Sequence, residues 1–301
     1  LLGSLHGFFS ITLGVDQVVS GMGIWILGFG MTTYIGSPYT GPLGMERIPT
    51  IFGLSPFFYV GVALAILIYF GLDFGARSHW FGLPSGFFVA SSAIAWITNA
   101  IVLVMVVVTS FFVSQEFALG TVKSAWVRPV KRSGWYTAKL LTAGGAVSAL
   151  FLAATVVVVA LAAVRAGFTD LMEKDYLIHT ARSMGLRMAM TTGLTLFVVW
   201  SAAAVTSALA ARLNHPGGAI AATLGLGIAM TALSVFPVAR PFLLTTYLSL
   251  PCEQMVAMSK GLPLPLEWGD LLWHTLAAGG AWGVGAYLIG RRVVQKKEIT
   301  G

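Results

Sequence analysis

Residues that could bind a metal or attack a substrate are scattered along this sequence. The five histidines have no spacing typical of a metal site. The single cysteine, Cys252, excludes an internal disulfide and a thiolate cluster. No stretch fits the phosphate-binding loop G-x-x-x-x-G-K-[ST] or the nucleophile motif G-x-S-x-G. We therefore expect no catalytic, metal-binding or cofactor-binding residue in this chain, which then cannot hydrolyse ATP by itself.

Charged residues do group in one place, the stretch Ser114–Leu140 between two long apolar runs. It holds one carboxylate, Glu116, and five cations: Lys123, Arg128, Lys131, Arg132 and Lys139. Its first half is predicted as a short helix, Glu116–Arg128, with Phe117, Val122 and Trp126 as apolar positions and Pro129 as its end. Two interpretations stay open: an ordinary positively charged cytosolic loop, and a helix through which a cytosolic motor pushes on the membrane domain.

The bulk composition indicates an all-α polytopic membrane protein. Hydrophobic residues make up 57% of the chain, charged residues 10%, and the mean hydropathy is +0.85. Several apolar runs approach or exceed the ~20 residues needed to cross a bilayer as a helix. About seven transmembrane helices are predicted: Val18–Ile35, Phe57–Phe74, Phe87–Phe112, Ala138–Val164, Met188–Ala211, Ala219–Phe236 and Leu271–Gly290.

Two further segments carry expectations of their own. Pro237–Asp270 contains five prolines, which make it too interrupted for one span, and it is too apolar for a free loop. It is predicted to form external re-entrant or interfacial helices. The chain opens directly into hydrophobic sequence at Leu1, so we expect a fragment that has lost its true start, with no signal peptide.

Lysine and arginine counts set the orientation. With the central stretch inside, the central stretch, Arg212 and the C-terminal tail place ten cations on the cytosolic side. From Arg165 onward, the opposite side holds six cations and six acids. We therefore expect the C-terminus and the central stretch in the cytosol and Arg165–Arg187 outside. The net charge of +7 reflects cytosolic loops facing anionic membrane lipids, and no nucleic acid is expected as a partner.

The motif Glu116-x-x-x-Gly120-Thr121, then Arg128-Pro129-Val130-x-Arg132, then Lys139, resembles ABC-2-type transporter permeases. The C-terminal pattern Arg291-Arg292-x-x-x-Lys296-Lys297 is similar to that family too, whereas Lys131 replaces its usual serine or threonine. The resemblance, over about residues 87–301, implies an exporter-like permease in the cytoplasmic membrane with no enzymatic activity of its own. It implies a separate ATP-binding cassette subunit that holds ATP and Mg, and a second permease chain in a homo- or heterodimer. The implied coupling residues are Glu116, Gly120, Thr121, Trp126, Arg128, Pro129, Arg132 and Lys139, with Trp126 as the apolar anchor.

The N-terminal part resembles a different family. The runs Asp16–Ile24 and Leu27–Thr33 look like ribose- or nucleoside-type importer permeases. In those proteins the region near Arg77 is cytosolic, which conflicts with a cytosolic central stretch one span later. We therefore predict two domains, 1–80 and 81–301, joined by a fusion or an assembly artefact. The alternative function is a sugar or nucleoside importer permease that needs a periplasmic or lipoprotein binding protein. A membrane enzyme or a structural membrane protein is a third alternative.

Overall fold

The computed structural model describes residues 85–118, 120, 131–173, 176–213, 215–264 and 266–297. They belong to one compact unit, Thr50–Gly301. The predicted first two spans, the whole of segment 1–80, and residues 119 and 121–130 of the central stretch lie outside the described residues. The elements are α1 (Gly86–Ala118), α2 (Arg132–Arg165), β1 (Leu171–Glu173), β2 (Tyr176–His179), α3 (Ala181–Leu213), α4 (Pro216–Leu233), a 3-10 turn (Arg240–Phe242), α5 (Leu244–Ser259) and α6 (Trp268–Lys296).

Four of these helices, α1 to α4, are long and apolar enough to cross a membrane. They match the third to sixth predicted spans, although α2 begins at Arg132 and α3 at Ala181, six and seven residues earlier than predicted. The helices continue beyond the apolar runs because long polar side chains such as Arg187 can extend to the membrane surface. Helix α6 has 29 residues, about 43 Å at 1.5 Å per residue, but is less apolar than α1 to α4. The total of seven spans therefore stays a prediction.

A small hairpin adds β-structure to the predicted all-α fold. Residues 165–187 were expected as a polar loop, but β1 and β2 pair antiparallel there. The hairpin forms because Leu171 is buried in the bundle while Met172, the next residue, is exposed, the alternation typical of a strand. Asp170 lies just before it, and its carboxylate accepts a 2.6 Å hydrogen bond from the backbone N–H of Ala181 at the start of α3.

Helix α5 occupies part of the segment that was expected to form re-entrant helices. Its 16 residues span about 24 Å, too short to cross a bilayer. It packs against α1 and α3, and the Cys252 thiol lies 3.6 Å from the hydroxyl oxygens of both Thr98 and Thr195. Whether α5 re-enters the membrane stays a prediction.

The helix termini gather at two ends of the bundle. At one end, the loop end, the C-terminus of α1 and the N-terminus of α2 meet the termini of α3, α4 and α6, whose residues form a buried cluster: Val113, Trp135, Tyr136, Ala210, Ala211, Ala219 and Val294. At the other end, the far end, the hairpin packs with the opposite termini of α3, α5 and α6. The central stretch and the C-terminal tail therefore share one end, as the cation counts predicted.

Candidate functional site

Glu116 connects the two helices that flank the central stretch. It lies in the last turn of α1, and its Oε1 atom forms an ion pair with the ammonium group of Lys139 on α2. Its Oε2 atom accepts a 3.1 Å hydrogen bond from the indole N–H of Trp135. The side chains of Lys139 and Glu116 are only 25% and 28% exposed, so water screens this pair less than a surface pair. The two helices are thus joined at the base of the central stretch.

This position corrects the expected start of the loop helix. Glu116 and Phe117 belong to α1, which continues to Ala118, and were predicted in a separate helix Glu116–Arg128. The C-terminus of a helix carries partial negative charge, so the helix itself does not favour a carboxylate there. Lys139 compensates for that unfavourable placement.

Aromatic rings surround the ion pair. Trp135 meets Phe117 edge to face, with ring centroids 5.4 Å apart. The Lys139 ammonium lies 5.9 Å from the centroids of both Phe112 and Trp135. These rings lower the local polarity, which strengthens the Glu116–Lys139 attraction.

Gly120 ends α1 through its backbone conformation. Its φ of 69° lies in the left-handed region, and its N–H donates a 3.2 Å hydrogen bond to the carbonyl of Phe117. A side chain would be strained at this φ, so glycine is favoured. No described atom lies within 4 Å of a Cβ built at Gly120.

Arg132 and Lys297 attach the C-terminal tail to the same end. The Arg132 guanidinium donates hydrogen bonds to the carbonyls of Lys297 at 2.8 Å and of Gln295 at 3.4 Å. The Lys297 ammonium donates to the carbonyl of Ala211 at the end of α3 and lies 3.8 Å from the Phe117 ring centroid. Burial lowers the pKa of Lys297 from 10.5 to about 8. The tail therefore connects α2 to α6, α3 and α1.

Tyr136 adds a third connection, one turn into α2. Its hydroxyl lies 2.6 Å from the hydroxyl of Ser207 on α3, and its ring stacks on Tyr287 of α6 at 5.9 Å. Gly290 makes room for it, because a Cβ at Gly290 would overlap the Tyr136 hydroxyl. Tyr136 thereby joins α2 to α3 through its hydroxyl group and α2 to α6 through ring stacking.

The predicted coupling residues fall into two groups. Glu116, Arg132 and Lys139 come together at the loop end, and Gly120 ends the helix beside them. Thr121, Trp126, Arg128 and Pro129 lie outside the described residues, so their roles stay predictions. Sequence reasoning missed Trp135, Tyr136 and Lys297 as contact residues. One feature of the sequence could have indicated them. Trp135 and Tyr136 follow Ser133-Gly134 directly, and aromatic side chains with a polar atom are common at a membrane boundary.

The surface of the loop end is strongly basic. Against the single acid Glu116, the described residues there carry eight cations: Lys131, Arg132, Lys139, Arg212, Arg291, Arg292, Lys296 and Lys297. A positive field of this kind favours an acidic partner surface or anionic lipid.

The comparison with known proteins identifies a family. A family model described as "ABC-2 family transporter protein" matches residues 54–215, more than half of the chain. The chain belongs to the ABC-2 transporter family. No curated protein and no solved structure matches it. The matched range contains Glu116, Lys139, Tyr136 and Ser207, whereas the tail residues that hold Arg132 lie beyond it.

Membership of the ABC-2 family identifies the chain as a membrane permease component of an ABC transporter, which works with an ATP-binding cassette subunit. The importer alternative has no support from this match. The match begins at residue 54, within the segment 1–80 that was assigned to an importer-like domain. The division into domains 1–80 and 81–301 stays a prediction.

Proposed function

We propose that the loop end is the coupling site, through which a separate ATP-binding subunit moves the spans of this ABC-2 permease. ATP and Mg belong to that partner, and a second permease chain completes the transport path. The proposal also includes export as the direction of transport. The observation that carries it is the set of polar contacts joining α1, α2, α3 and α6 around the base of the central stretch.

The contacts define how a force on the central stretch would spread. A push on residues 119–131 acts on α1 and α2 together, because Glu116 joins them through Lys139 and Trp135. Arg132 passes the displacement to the tail of α6, and Lys297 and Tyr136 pass it to α3. Packed helices with directional polar contacts move as units and do not deform gradually. The spans would then tilt as a group and change the side to which the transport path opens.

The orientation proposed here places the loop end in the cytosol. Its cation excess fits the positive-inside rule, and far-end acids such as Asp170, Glu253, Glu267 and Asp270 fit the outer side. The protein then lies in the cytoplasmic membrane with its C-terminus in the cytosol. Trp126 remains the proposed apolar anchor of the docking helix, with Arg128 as a charge at its rim.

Purification of the tagged chain from its own cells tests the function. An ATP-binding subunit should accompany it in a stoichiometric amount, and Arg128→Glu should release that subunit while the chain stays in the membrane. Arg182→Glu, at an exposed arginine of the far end, is the matched control and should retain the partner. Isolation of the chain with a lipoprotein binding protein, or with no ATP-binding subunit, would contradict the proposal.

Coupling can be followed without knowing the substrate. A cysteine replacing Val238, which is 83% exposed at the far end, reports far-end rearrangement through its rate of maleimide labelling. We define the coupling signal as the change in that rate when ATP and Mg are added to the complex. If coupling runs through the loop end, variants there should reduce the signal without releasing the ATP-binding subunit.

A further inference from the structure

The segment after α4, residues 233–242, presents large apolar side chains to the outside of the bundle. Five of its ten residues are exposed hydrophobics: Leu233 at 48%, Val235 at 78%, Phe236 at 62%, Val238 at 83% and Phe242 at 72%. Its backbone is held in place, because the Tyr247 hydroxyl donates to the carbonyl of Pro241 at 3.0 Å and the Trp282 indole donates to that of Phe242 at 2.8 Å. The apolar surface is therefore attached to α5 and α6.

The length of α4 places this segment at the membrane surface. Its 18 residues span about 27 Å, close to the ~30 Å of the hydrocarbon core, and it is a candidate membrane span that ends at Leu233. Residues that follow a span directly lie at the level of the lipid head groups. Exposed Val and Phe side chains at that depth contact acyl chains favourably.

A polar pocket lies beside this apolar segment, between the end of α4 and α5. Its lining includes hydroxyl groups and two opposite charges: Thr231, Ser234, Thr245, Thr246, Arg240 and Glu253. Arg240 and Glu253 are both exposed, and no ion pair between them or with another group is found in the described part of the chain. Each charge is therefore open to a ligand.

The hydroxyl groups make the pocket rich in hydrogen-bond acceptors. Thr231, Ser234 and Thr246 donate their own protons to the backbone carbonyls of Gly227, Thr231 and Arg240, at 2.9, 2.6 and 3.0 Å. Their oxygen lone pairs remain for a ligand that carries donors. The Thr245 hydroxyl is buried and has no partner among the described residues. The hydroxyl oxygens and the Glu253 carboxylate suit an ammonium group, and the Arg240 guanidinium suits an anion. A ligand that carries both groups side by side therefore fits the pocket.

We propose that this pocket binds the head group of a zwitterionic aminophospholipid in the far-end leaflet. Arg240 would hold the phosphate, the hydroxyl oxygens and Glu253 would accept from the primary ammonium, and the exposed side chains of residues 233–242 would contact the acyl chains. A glycerol head group offers no cation to Glu253, and a trimethylated ammonium has no N–H to donate. This site does not depend on the proposed coupling function.

The test measures how soluble short-chain lipids bind to the purified full chain. Native mass spectrometry counts the lipid molecules bound to each chain. The wild-type protein should prefer dihexanoyl phosphatidylethanolamine over the phosphatidylglycerol and phosphatidylcholine analogues by about tenfold, as expected for hydrogen bonds to charged groups. Glu253→Gln should remove that preference, and Glu253→Asp should keep part of it. Arg240→Gln should weaken binding of all three lipids by about tenfold.

Matched controls lie at the same end. Arg182→Gln and Glu267→Gln, both exposed, should leave affinity and preference unchanged. Equal binding of the three lipids to the wild-type protein, or the same loss in the controls, would overturn the proposal. Free phosphoethanolamine, which has the head group without acyl chains, is the last ligand to be tested. If it binds as tightly as the lipid, the acyl chains contribute nothing and the membrane is not the source of the ligand.

Discussion

The two ends of the bundle are built from different interactions. At the loop end, a carboxylate, an indole, two tyrosine hydroxyls and three cations link four helices through hydrogen bonds and an ion pair. At the far end, ring and apolar contacts join the elements alongside hydrogen bonds to backbone carbonyls, such as those of Trp282 to Phe242 and of Gln254 to Leu266. Phe87 packs on Phe168 at 4.5 Å, Arg187 lies over the Trp268 ring at 4.8 Å, and Lys260 lies over the Phe88 ring at 4.9 Å.

This difference has a mechanical consequence. Hydrogen bonds and ion pairs need a fixed distance and direction, so helices that share them move together. Apolar contacts are non-directional and allow elements to slide while staying packed. The loop end is therefore suited to transmit a displacement and the far end to rearrange in response. Matched substitutions at the two ends test this difference.

The largest effect is expected where a methyl group is added against a fixed neighbour. Gly290→Ala at the loop end would overlap the Tyr136 hydroxyl and place its Cβ 3.1 Å from the Cα of Ala208. Such overpacking costs typically about 1–3 kcal/mol. Heating in detergent followed by gel filtration should show a lower apparent unfolding temperature and, in the complex, a smaller coupling signal.

Two further glycine variants serve as controls. Gly86→Ala at the far end would overlap the carbonyl oxygen of Gly167 and should also lower the unfolding temperature, but it should leave the coupling signal intact. Gly285→Ala, on α6 with no described atom within 4 Å of its Cβ, should change neither. Loss of coupling in Gly86→Ala would mean that the two ends transmit motion equally.

A smaller effect is expected from removing one hydroxyl at each end. Tyr136→Phe loses the 2.6 Å contact with Ser207 on another helix, and Tyr247→Phe loses the 3.0 Å bond to Pro241 in the adjoining segment. Each loss should cost about 0.5–1.5 kcal/mol of stability, a typical hydrogen-bond contribution. Only Tyr136→Phe should reduce the coupling signal, and an equal reduction in both variants would remove the distinction between the ends.

A further effect concerns proton binding by the tail. Burial lowers the pKa of Lys297 to about 8, so between about pH 8 and 10.5 the folded protein binds fewer protons than the unfolded chain. Stability should therefore rise with pH over that interval. Amine labelling of Lys297, followed by peptide mass spectrometry, should reach half its maximal rate near pH 8 in the folded protein and shift upward after denaturation. The same midpoint in both states would show that the tail is not held at the loop end.

The sequence predicted the spans and the shared end better than the contacts. Helices α1 to α4 follow uninterrupted apolar runs, and the cation counts assigned the central stretch and the tail to one end. The partners of Glu116 and Lys297 depend on side-chain positions after packing, and composition carries no information on these. Lys139 was noted as part of a motif, but its pairing with Glu116 follows from the antiparallel arrangement of α1 and α2.

The hairpin and α5 were harder for a related reason. Two strands of three and four residues in a polar segment give too short an alternation to recognise. Pro251 lies inside α5, where proline is normally read as the end of a helix. Contacts with α1 and α3 outweigh that local preference. The sequence therefore predicted short helices in this segment but not the bounds of the 16-residue helix.

Charge exchange between Glu116 and Lys139 tests the central claim most directly. Glu116→Lys and Lys139→Glu each place like charges together at the base of the central stretch, and the double exchange restores an opposite pair. We expect each single variant to lose most of the coupling signal and the double variant to recover a large part of it, with the ATP-binding subunit bound throughout. Full coupling in the single variants, or no recovery in the double variant, would contradict the role of the loop end in transmission.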